Sequence, residues 1–256
     1  MEIANTFWGA AREQTAQACR EIQRRSALAR QPRPKGVSGP PWRYLLGEIA
    51  SLAARKSKCE PGKAERPRTV MLLPGFATHP SRMRPMAQAL RAAGHEVHEW
   101  GLGFNMGPTQ EGFDFLMRRV EALARESGEP VALVGWSLGG LFAREIANRQ
   151  PQNVACVITM GSPFSGSLRA NNVWRAYQAI TGHSVDEPPV SCELQRKPPV
   201  PTIALWSPRD GIVHHRSACG RADERDRAIA LRCTHLGFAW DPEVIAEVLR
   251  QLDTVD

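Results

Sequence analysis

The run Gly135-Trp136-Ser137-Leu138-Gly139-Gly140 places a glycine two positions before and two positions after a serine. A nucleophilic serine sits at a sharp, strained turn between a strand and a helix, and small neighbours at those two positions permit the turn. An apolar run, residues 130–135, precedes Ser137, and a helix is predicted from Leu138 to about Arg149. The pattern predicts a nucleophile elbow at Ser137. The alternative is a structural serine in an ordinary glycine-rich turn.

A nucleophilic serine needs an acid that orients its base, and Asp210 is the candidate. It follows the predicted strand 200–206, and side chains just past the carboxyl ends of parallel strands collect where active sites form. Because Asp210 is followed by Gly211, a plain Asp-Gly turn is the alternative. Asp223 and Asp241 are weaker substitutes for the acid.

His235 is the candidate base. It lies in the segment 233–238, after a predicted strand at 228–231 and before the final predicted helix at 241–252. The ordinary pKa of histidine, near 6.5, suits an imidazole that accepts the serine proton at neutral pH. His214 and His215 are too close to Asp210 in the chain to be the base, although one of them could line the pocket.

The elements that must position these residues alternate along the chain from Thr69 onward. Short apolar runs predict strands, and stretches with helical periodicity separate them. This rhythm predicts βαβ units, a mostly parallel sheet flanked by helices and hence an α/β fold. The predicted strands are 69–73, 96–100, 130–135, 154–160, 200–206 and 228–231, and the helices are 80–93, 110–126, 138–149, 172–181 and 241–252.

Two segments depart from this rhythm. Residues 1–66 form a predicted helical arm, with helices at 5–28 and 44–55, the second carrying Leu45, Leu46, Ile49, Leu52 and Ala53 on one face. Residues 67–256 are the predicted catalytic domain. Within it, residues 162–199, called here the cap segment, form a long, proline-rich excursion between two strands, which favours a cap or lid over the site.

Composition limits the class of protein. The chain has 256 residues, 42% of them hydrophobic, which suffices for one large globular domain. It lacks an apolar run of 18 residues and the apolar core of a secretory signal, so we expect a cytoplasmic protein without a transmembrane helix. The arm has 13 basic and 6 acidic residues, while the remainder is balanced with 20 of each. The arm is therefore either a solvated surface or a peripheral contact with an anionic membrane, and no nucleic-acid partner is expected.

The six cysteines are too sparse for a disulfide scaffold. Cys156, in an apolar strand, reads as a small buried hydrophobe. A local disulfide between Cys219 and Cys233 is conceivable, because the two cysteines bracket the segment before His235, but spacing alone cannot establish it.

Three motifs together resemble bacterial esterases and triacylglycerol lipases of the α/β-hydrolase superfamily: Leu72-Leu73-Pro74-Gly75-Phe76, the elbow at Ser137, and Ser162-Pro163-Phe164-Ser165-Gly166. The Asp-Gly-Ile-Val run at Asp210 and the His-Leu-Gly run at His235 are similar to that family's acid and base motifs. The resemblance extends from about residue 69 to the C-terminus. It implies an oxyanion hole formed by the backbone N–H groups of Phe76 and Leu138.

The resemblance implies hydrolysis of a carboxylic ester through an acyl-enzyme on Ser137, without a metal or an organic cofactor. Trp136, Phe164 and Phe238 flank the candidate catalytic residues; they either line an apolar acyl pocket or pack the core. An aliphatic or lipid ester is the expected substrate. An acyltransferase or thioesterase with the same residues, and a catalytically silent binding protein on this scaffold, remain as alternatives.

Overall fold

The computed structural model describes the backbone of residues 2–53 and 61–255 and the side chains of residues 13–51 and 61–255. In this described part of the chain, six strands form one parallel sheet in the order β2-β1-β3-β4-β5-β6. The predicted α/β fold is confirmed, and all strand pairs are parallel rather than most of them. The strands are β1 (Thr69–Leu73), β2 (Glu96–Glu99), β3 (Val131–Trp136), β4 (Val154–Met160), β5 (Thr202–Trp206) and β6 (Arg227–Ala230).

The helices follow the sequence prediction closely. One five-residue helix, α7, is missed, and the predicted helix 80–93 begins as a 3₁₀ turn, Pro80–Met83, before α3. The end of the second helix, predicted at Arg55, falls outside the described residues. The helices are α1 (Glu2–Ala29), α2 (Arg43–Ala53), α3 (Arg84–Ala93), α4 (Gln110–Ser127), α5 (Leu138–Arg149), α6 (Trp174–Thr181), α7 (His215–Cys219) and α8 (Pro242–Asp253).

The core has two layers, one on each face of the sheet. Because side chains alternate along a strand, Val70 and Leu72 of β1 pack in the layer with α3 and α8, while Met71 and Leu73 pack in the layer with α4 and α5. Both faces of the central strands are buried, which explains their continuous apolar sequences. Ser137, Asp210 and His235 follow β3, β5 and β6. Because these strands are parallel, the three segments all begin at the carboxyl edge of the sheet.

The arm lies against the cap segment. Arg24 and Arg25 of α1 donate hydrogen bonds to the carbonyls of Gly182 and Ile180 over 2.7 and 2.6 Å. Gln178 of α6 donates to the Leu28 carbonyl over 2.5 Å. The described part of the arm is therefore packed on the α/β domain, and residues 13–51 are not a freely solvated extension.

Helix α2 has an unexpected orientation. The apolar face predicted from Leu45, Leu46 and Ile49 is turned outward, with 58% of Leu46 and 64% of Ile49 exposed. Trp42, immediately before the helix, is 73% exposed. The side chain that α2 buries is Glu48, only 4% exposed. The side chains of Leu52 and Ala53 lie outside the described residues.

The disulfide between Cys219 and Cys233, which the sequence left open, is not formed, since both residues are free thiols. Cys233 is buried in the core layer that contains α8, whereas Cys219 is the last residue of α7 and is partly exposed. Cys156 is buried in β4, as its apolar context predicts, and burial raises the pKa of its thiol to about 12. Within residues 2–53 and 61–255, no helix is both long and apolar enough to span a membrane.

Candidate active site

Ser137 occupies the strained turn that its sequence context predicts. It lies between β3 and α5 with φ 55° and ψ −119°, a conformation that residues with a Cβ rarely adopt. Neighbouring atoms leave no room for a side chain at the glycines that follow it. A Cβ on Gly139 would overlap the carbonyl of Leu73, and one on Gly140 would overlap the hydroxyl of Ser162. The elbow is thus built from close backbone contacts that larger residues would break.

Asp210 and His235 form a buried, hydrogen-bonded pair. Nδ1 of His235 donates to Oδ2 of Asp210 over 2.7 Å, which leaves Nε2 free of the Asp210 carboxylate. The other carboxylate oxygen of Asp210 accepts hydrogen bonds from the backbone N–H groups of Ile212 and Val213, over 2.8 and 2.7 Å. The structure therefore brings together the candidate acid and the candidate base, which follow β5 and β6.

The electrostatics of this pair favour protonation of the imidazole. Burial of His235 by itself lowers its pKa, but the charge and hydrogen bond of Asp210, together with the charge of Glu48, outweigh that effect. The net result is a pKa of His235 above its ordinary value of 6.5. Such a pKa makes the imidazole a stronger base than an exposed histidine.

Three contacts connect this pair to the elbow. The backbone N–H of Ser137 donates to the carbonyl of Met160 over 2.8 Å, and the adjacent Gly161 lies against the Asp210 carboxylate. The indole Nε1 of Trp136 donates to the carbonyl of His235 over 3.0 Å. Ser137 is thereby linked to Asp210 through Met160 and Gly161, and Trp136 is linked directly to His235.

The loop after β1 approaches the nucleophile from the other side. A Cβ on Gly75 would lie 3.3 Å from the Ser137 Cβ, so the backbone that leads into Phe76 passes directly beside Ser137. Asn105 holds this loop, because its carbonyl accepts from the N–H of Ala77 over 2.7 Å and its side chain donates to the Pro74 carbonyl over 2.7 Å. Sequence analysis did not identify Asn105, whose partners are distant in the chain.

Leu138 begins α5, and the N–H groups of a helix's first turn have no acceptor within the helix. They carry the positive end of the helix dipole. Phe76, Ser137 and Leu138 all line one cavity of about 110 Å³. The two candidate oxyanion-hole residues and the candidate nucleophile therefore share one space.

That cavity follows one face of α5. Leu138, Leu141, Phe142 and Glu145 line it at helical spacing, so it extends about 12 Å along the helix axis from Ser137. The opposite wall comes largely from the cap segment, through Leu168, Trp174, Tyr177, Val185, Pro188, Val190, Cys192 and Leu194. The cavity is largely apolar, and the carboxylate of Glu145, paired with Arg149 at 2.6 Å, lies farthest from Ser137 along α5.

The three aromatic residues proposed from sequence as substrate-binding residues are not among the lining of this cavity. Trp136 and Phe238 pack in the core layer with α8, and the Phe164 ring lies under the buried guanidinium of Arg144, 4.2 Å from its centroid. All three aromatic side chains are buried among core residues. Strand alternation points Trp136 away from the cavity that Leu138 lines.

The other candidates lie elsewhere. Asp241 caps the N-terminus of α8 by accepting from the N–H of Glu243, and Asp223 is exposed on a 3₁₀ turn. His214 caps α7, its ring stacks on that of His215, and neither lines the cavity.

Glu48 is a residue of the site that sequence analysis missed. Its carboxylate accepts three backbone hydrogen bonds, from Gly211 and His235 at one oxygen, over 2.9 and 2.7 Å, and from Leu236 at the other, over 2.9 Å. Glu48 lies on α2, in the part of the chain that the resemblance to esterases does not cover. The one feature of the sequence that could have identified Glu48 is a charged residue within an otherwise apolar helical segment.

Comparison with known proteins finds a matching family and a curated relative. The sequence profile of the family described as "Serine aminopeptidase, S33" matches residues 64–200. A pimeloyl-[acyl-carrier protein] methyl ester esterase from Aeromonas salmonicida (strain A449) is 35% identical over 117 residues, which are 44% of this chain and 45% of that protein. The chain thus matches slightly less than half the length of this curated relative.

Solved structures share the fold at low sequence identity. Naproxen esterase from Bacillus subtilis superimposes with a TM-score of 0.51 at 15% identity, covering 82% of this chain and 96% of that one. A monoacylglycerol lipase from Paleococcus ferrophilus gives a TM-score of 0.53 at 17% identity, covering 78% and 99%. At such identities these likenesses concern the fold alone.

Proposed function

Since this chain belongs to the serine aminopeptidase S33 family of the α/β-hydrolase superfamily, we propose that it is a serine hydrolase that cleaves carboxylic esters. Ser137 is the nucleophile, His235 the base and Asp210 the acid that orients the base. The observation that carries the proposal is the buried Asp210–His235 hydrogen bond of 2.7 Å, joined through Trp136 and Met160 to a strained serine that lines an apolar cavity.

The mechanism follows from these positions. His235 takes the proton of the Ser137 hydroxyl at Nε2 while Ser137 attacks the acyl carbonyl. The backbone N–H groups of Phe76 and Leu138 bind the oxyanion of the tetrahedral intermediate, and loss of one such donor costs about 3 kcal/mol of transition-state stabilisation. Asp210 keeps the imidazole in the tautomer with Nδ1–H and stabilises the imidazolium. His235 then protonates the leaving alcohol, and water activated by the same imidazole releases the acid.

The length and the apolar walls of the cavity support an acyl chain of medium length as the part of the substrate that binds there. Its walls along α5 and the cap segment are apolar, and its length from Ser137 is about 12 Å. The carboxylate of Glu145 limits how far an apolar chain can extend, because burying apolar atoms against a charge is unfavourable. The curated relative is named for a methyl ester, which supports an ester as the scissile bond.

Other reactions use the same residues. An acyltransferase would pass the acyl group from Ser137 to an alcohol, and a thioesterase would accept a thioester; the family's description also names a peptidase. A screen with p-nitrophenyl esters, an acyl thioester and an aminoacyl p-nitroanilide, each with and without added alcohol, separates these outcomes. Turnover of the anilide alone would replace the esterase proposal with a peptidase one.

The first test is labelling of the purified protein with a fluorophosphonate, followed by peptide mapping. Labelling at Ser137 that is absent in Ser137→Ala and His235→Ala supports an activated serine. Ser165→Ala, which changes a serine of the cap segment instead of Ser137, is the matched control and should retain labelling. A folded wild-type protein that takes no label, in buffer and in the presence of lipid vesicles, would favour the silent binding protein instead.

The exposed face of α2 supports peripheral contact with an anionic membrane surface. Trp42, Leu46 and Ile49 are exposed and lie at helical spacing on one side, and exposed apolar patches on a protein surface mark interaction sites. Lys35 and Arg43, which are close to this face in the sequence, are exposed, and the arm as a whole carries a net charge of +7 from 13 basic and 6 acidic residues. Tryptophan beside basic residues on an amphipathic helix suits the interface of an anionic bilayer.

A further inference from the structure

We infer that Glu48 is a positioning residue that holds the acid loop and the base loop of the active site in register, an inference that rests on the roles proposed above for Asp210 and His235. Glu48 belongs to α2, outside the matched family region at residues 64–200. In this role, a residue of the arm fixes the two loops that carry Asp210 and His235.

Glu48 accepts hydrogen bonds from both loops. One carboxylate oxygen of Glu48 accepts from the N–H of Gly211 and the N–H of His235, so a single atom joins the residue after the acid to the base. The second oxygen accepts from Leu236. Glu48 is only 4% exposed, and a buried carboxylate is costly unless it is hydrogen-bonded; here three N–H groups compensate its charge.

The acid loop is shaped to receive α2. A Cβ on Gly211 would lie 2.6 Å from the Tyr44 carbonyl and 2.9 Å from Cγ of Glu48, so only glycine permits this approach. Directly beyond, Ile212 and Val213 donate to Asp210. The same short loop is therefore bound by Glu48 at Gly211 and by Asp210 at the next two residues, and a shift at one contact moves the other.

Glu48 also acts on His235 electrostatically. The charged groups around the imidazole are Asp210, from the loop after β5, and Glu48, from α2; Cys233, whose pKa is raised mainly by burial, is neutral there. The Glu48 charge contributes to raising the pKa of His235. Loss of that charge lowers the pKa of the base, which a residue with a purely structural role would not do.

The decisive variant is Glu48→Gln, which preserves size but replaces one acceptor oxygen with an NH₂ group that faces another donor. We expect kcat for a soluble ester to fall about tenfold or more while KM changes by less than about twofold, because misplacement of catalytic groups affects the transition state more than binding. The acidic limb of the kcat/KM profile should move to lower pH. Ala50→Gln, at an exposed position of α2, is the matched control and should change neither quantity.

The His235 Nδ1 proton, followed by NMR through a pH titration, makes the test independent of substrate. If wild type hydrolyses no ester, the proposed function fails, whereas the titration still compares Glu48→Gln with wild type. A lower pKa of His235 in Glu48→Gln supports the inference. A folded Glu48→Gln protein with the kcat, pH profile and His235 titration of Ala50→Gln overturns it, even if its thermal stability is reduced.

Discussion

The indole Nε1 of Trp136 donates a hydrogen bond to the backbone carbonyl of His235, 99 positions later in the chain, over 3.0 Å. The residue that precedes the candidate nucleophile thus restrains the candidate base. Their rings also lie close, with centroids 5.9 Å apart. Trp136 therefore contacts the loop that carries His235, and it does not line the cavity beside Ser137.

Trp136→Phe removes this hydrogen bond and keeps an aromatic ring in the core. We expect kcat to fall about tenfold with little change in KM, because the base loop loses a restraint, and the free energy of unfolding to fall by about 1 kcal/mol. Ester hydrolysis and urea unfolding measure the two effects. Trp100→Phe loses an equivalent bond to the Gly103 carbonyl and should reduce stability alone. Equal kcat in both variants would contradict the role assigned to Trp136.

Activity should fall as the pH is lowered through the raised pKa of His235, since the imidazolium cannot accept the serine proton. The midpoint of this acidic limb is expected above pH 6.5, the ordinary pKa of the group. Asp210→Asn removes the neighbouring charge, so the limb should move to lower pH while kcat falls about 10⁴-fold. Asp223→Asn, at the exposed alternative acid, should reproduce the wild-type profile. Inactivation by Asp223→Asn instead would reassign the acid.

Leu141→Trp narrows the cavity one helical turn from Ser137. We expect turnover of p-nitrophenyl octanoate to fall at least about tenfold relative to the acetate, because a bulky ring displaces the distal acyl carbons. Leu141→Ala enlarges the same place and should shift the preference toward longer chains. The ratio of kcat/KM values across acetate, butyrate, octanoate and palmitate measures the effect. Unchanged ratios in both variants would place the acyl chain outside this cavity.

Gly139→Ala tests the packing of the elbow. Although alanine ordinarily stabilises a helix, the added Cβ would overlap the Leu73 carbonyl, and a backbone atom of a central strand cannot move aside. We expect a loss of about 3 kcal/mol or more in the free energy of unfolding, measured in urea. In α2, a Cβ on Gly47 would meet only the Thr234 methyl at 3.8 Å, so Gly47→Ala should be neutral or stabilising. Equal stabilities would disprove the close packing.

The exposed face of α2 predicts binding to anionic vesicles. Replacement of Trp42, Leu46 and Ile49 together by serine should weaken sedimentation with phosphatidylserine vesicles by about tenfold or more, because the apolar anchors are lost. Ile22→Ser, at an exposed position of α1, is the control and should bind like wild type. Hydrolysis of a soluble ester should be unchanged in both. Equal binding of wild type and the triple variant would remove the membrane proposal.

Much of the fold can be predicted from the sequence, because the patterns that indicate its strands and helices are local. Continuous apolar runs predict β1, β3 and β4, since a strand covered on both faces needs no polar side. Ser137 carries its own evidence, because the elbow requires small residues at fixed neighbouring positions. Asp210 and His235 were predicted from their places after successive strands, and the structure joins them in one hydrogen bond.

Tertiary structure alone decided what surrounds these residues. By helical pattern, Leu46 and Ile49 should be covered and Glu48 exposed, but α2 meets two loops whose backbone N–H groups need an acceptor, so the carboxylate is buried and the apolar face is left outside. Trp136, Phe164 and Phe238 are near the site in sequence yet belong to the core. The chain specifies local conformation through its spacing and side-chain types. Contacts between distant segments depend on how the whole chain packs, and no local pattern encodes them.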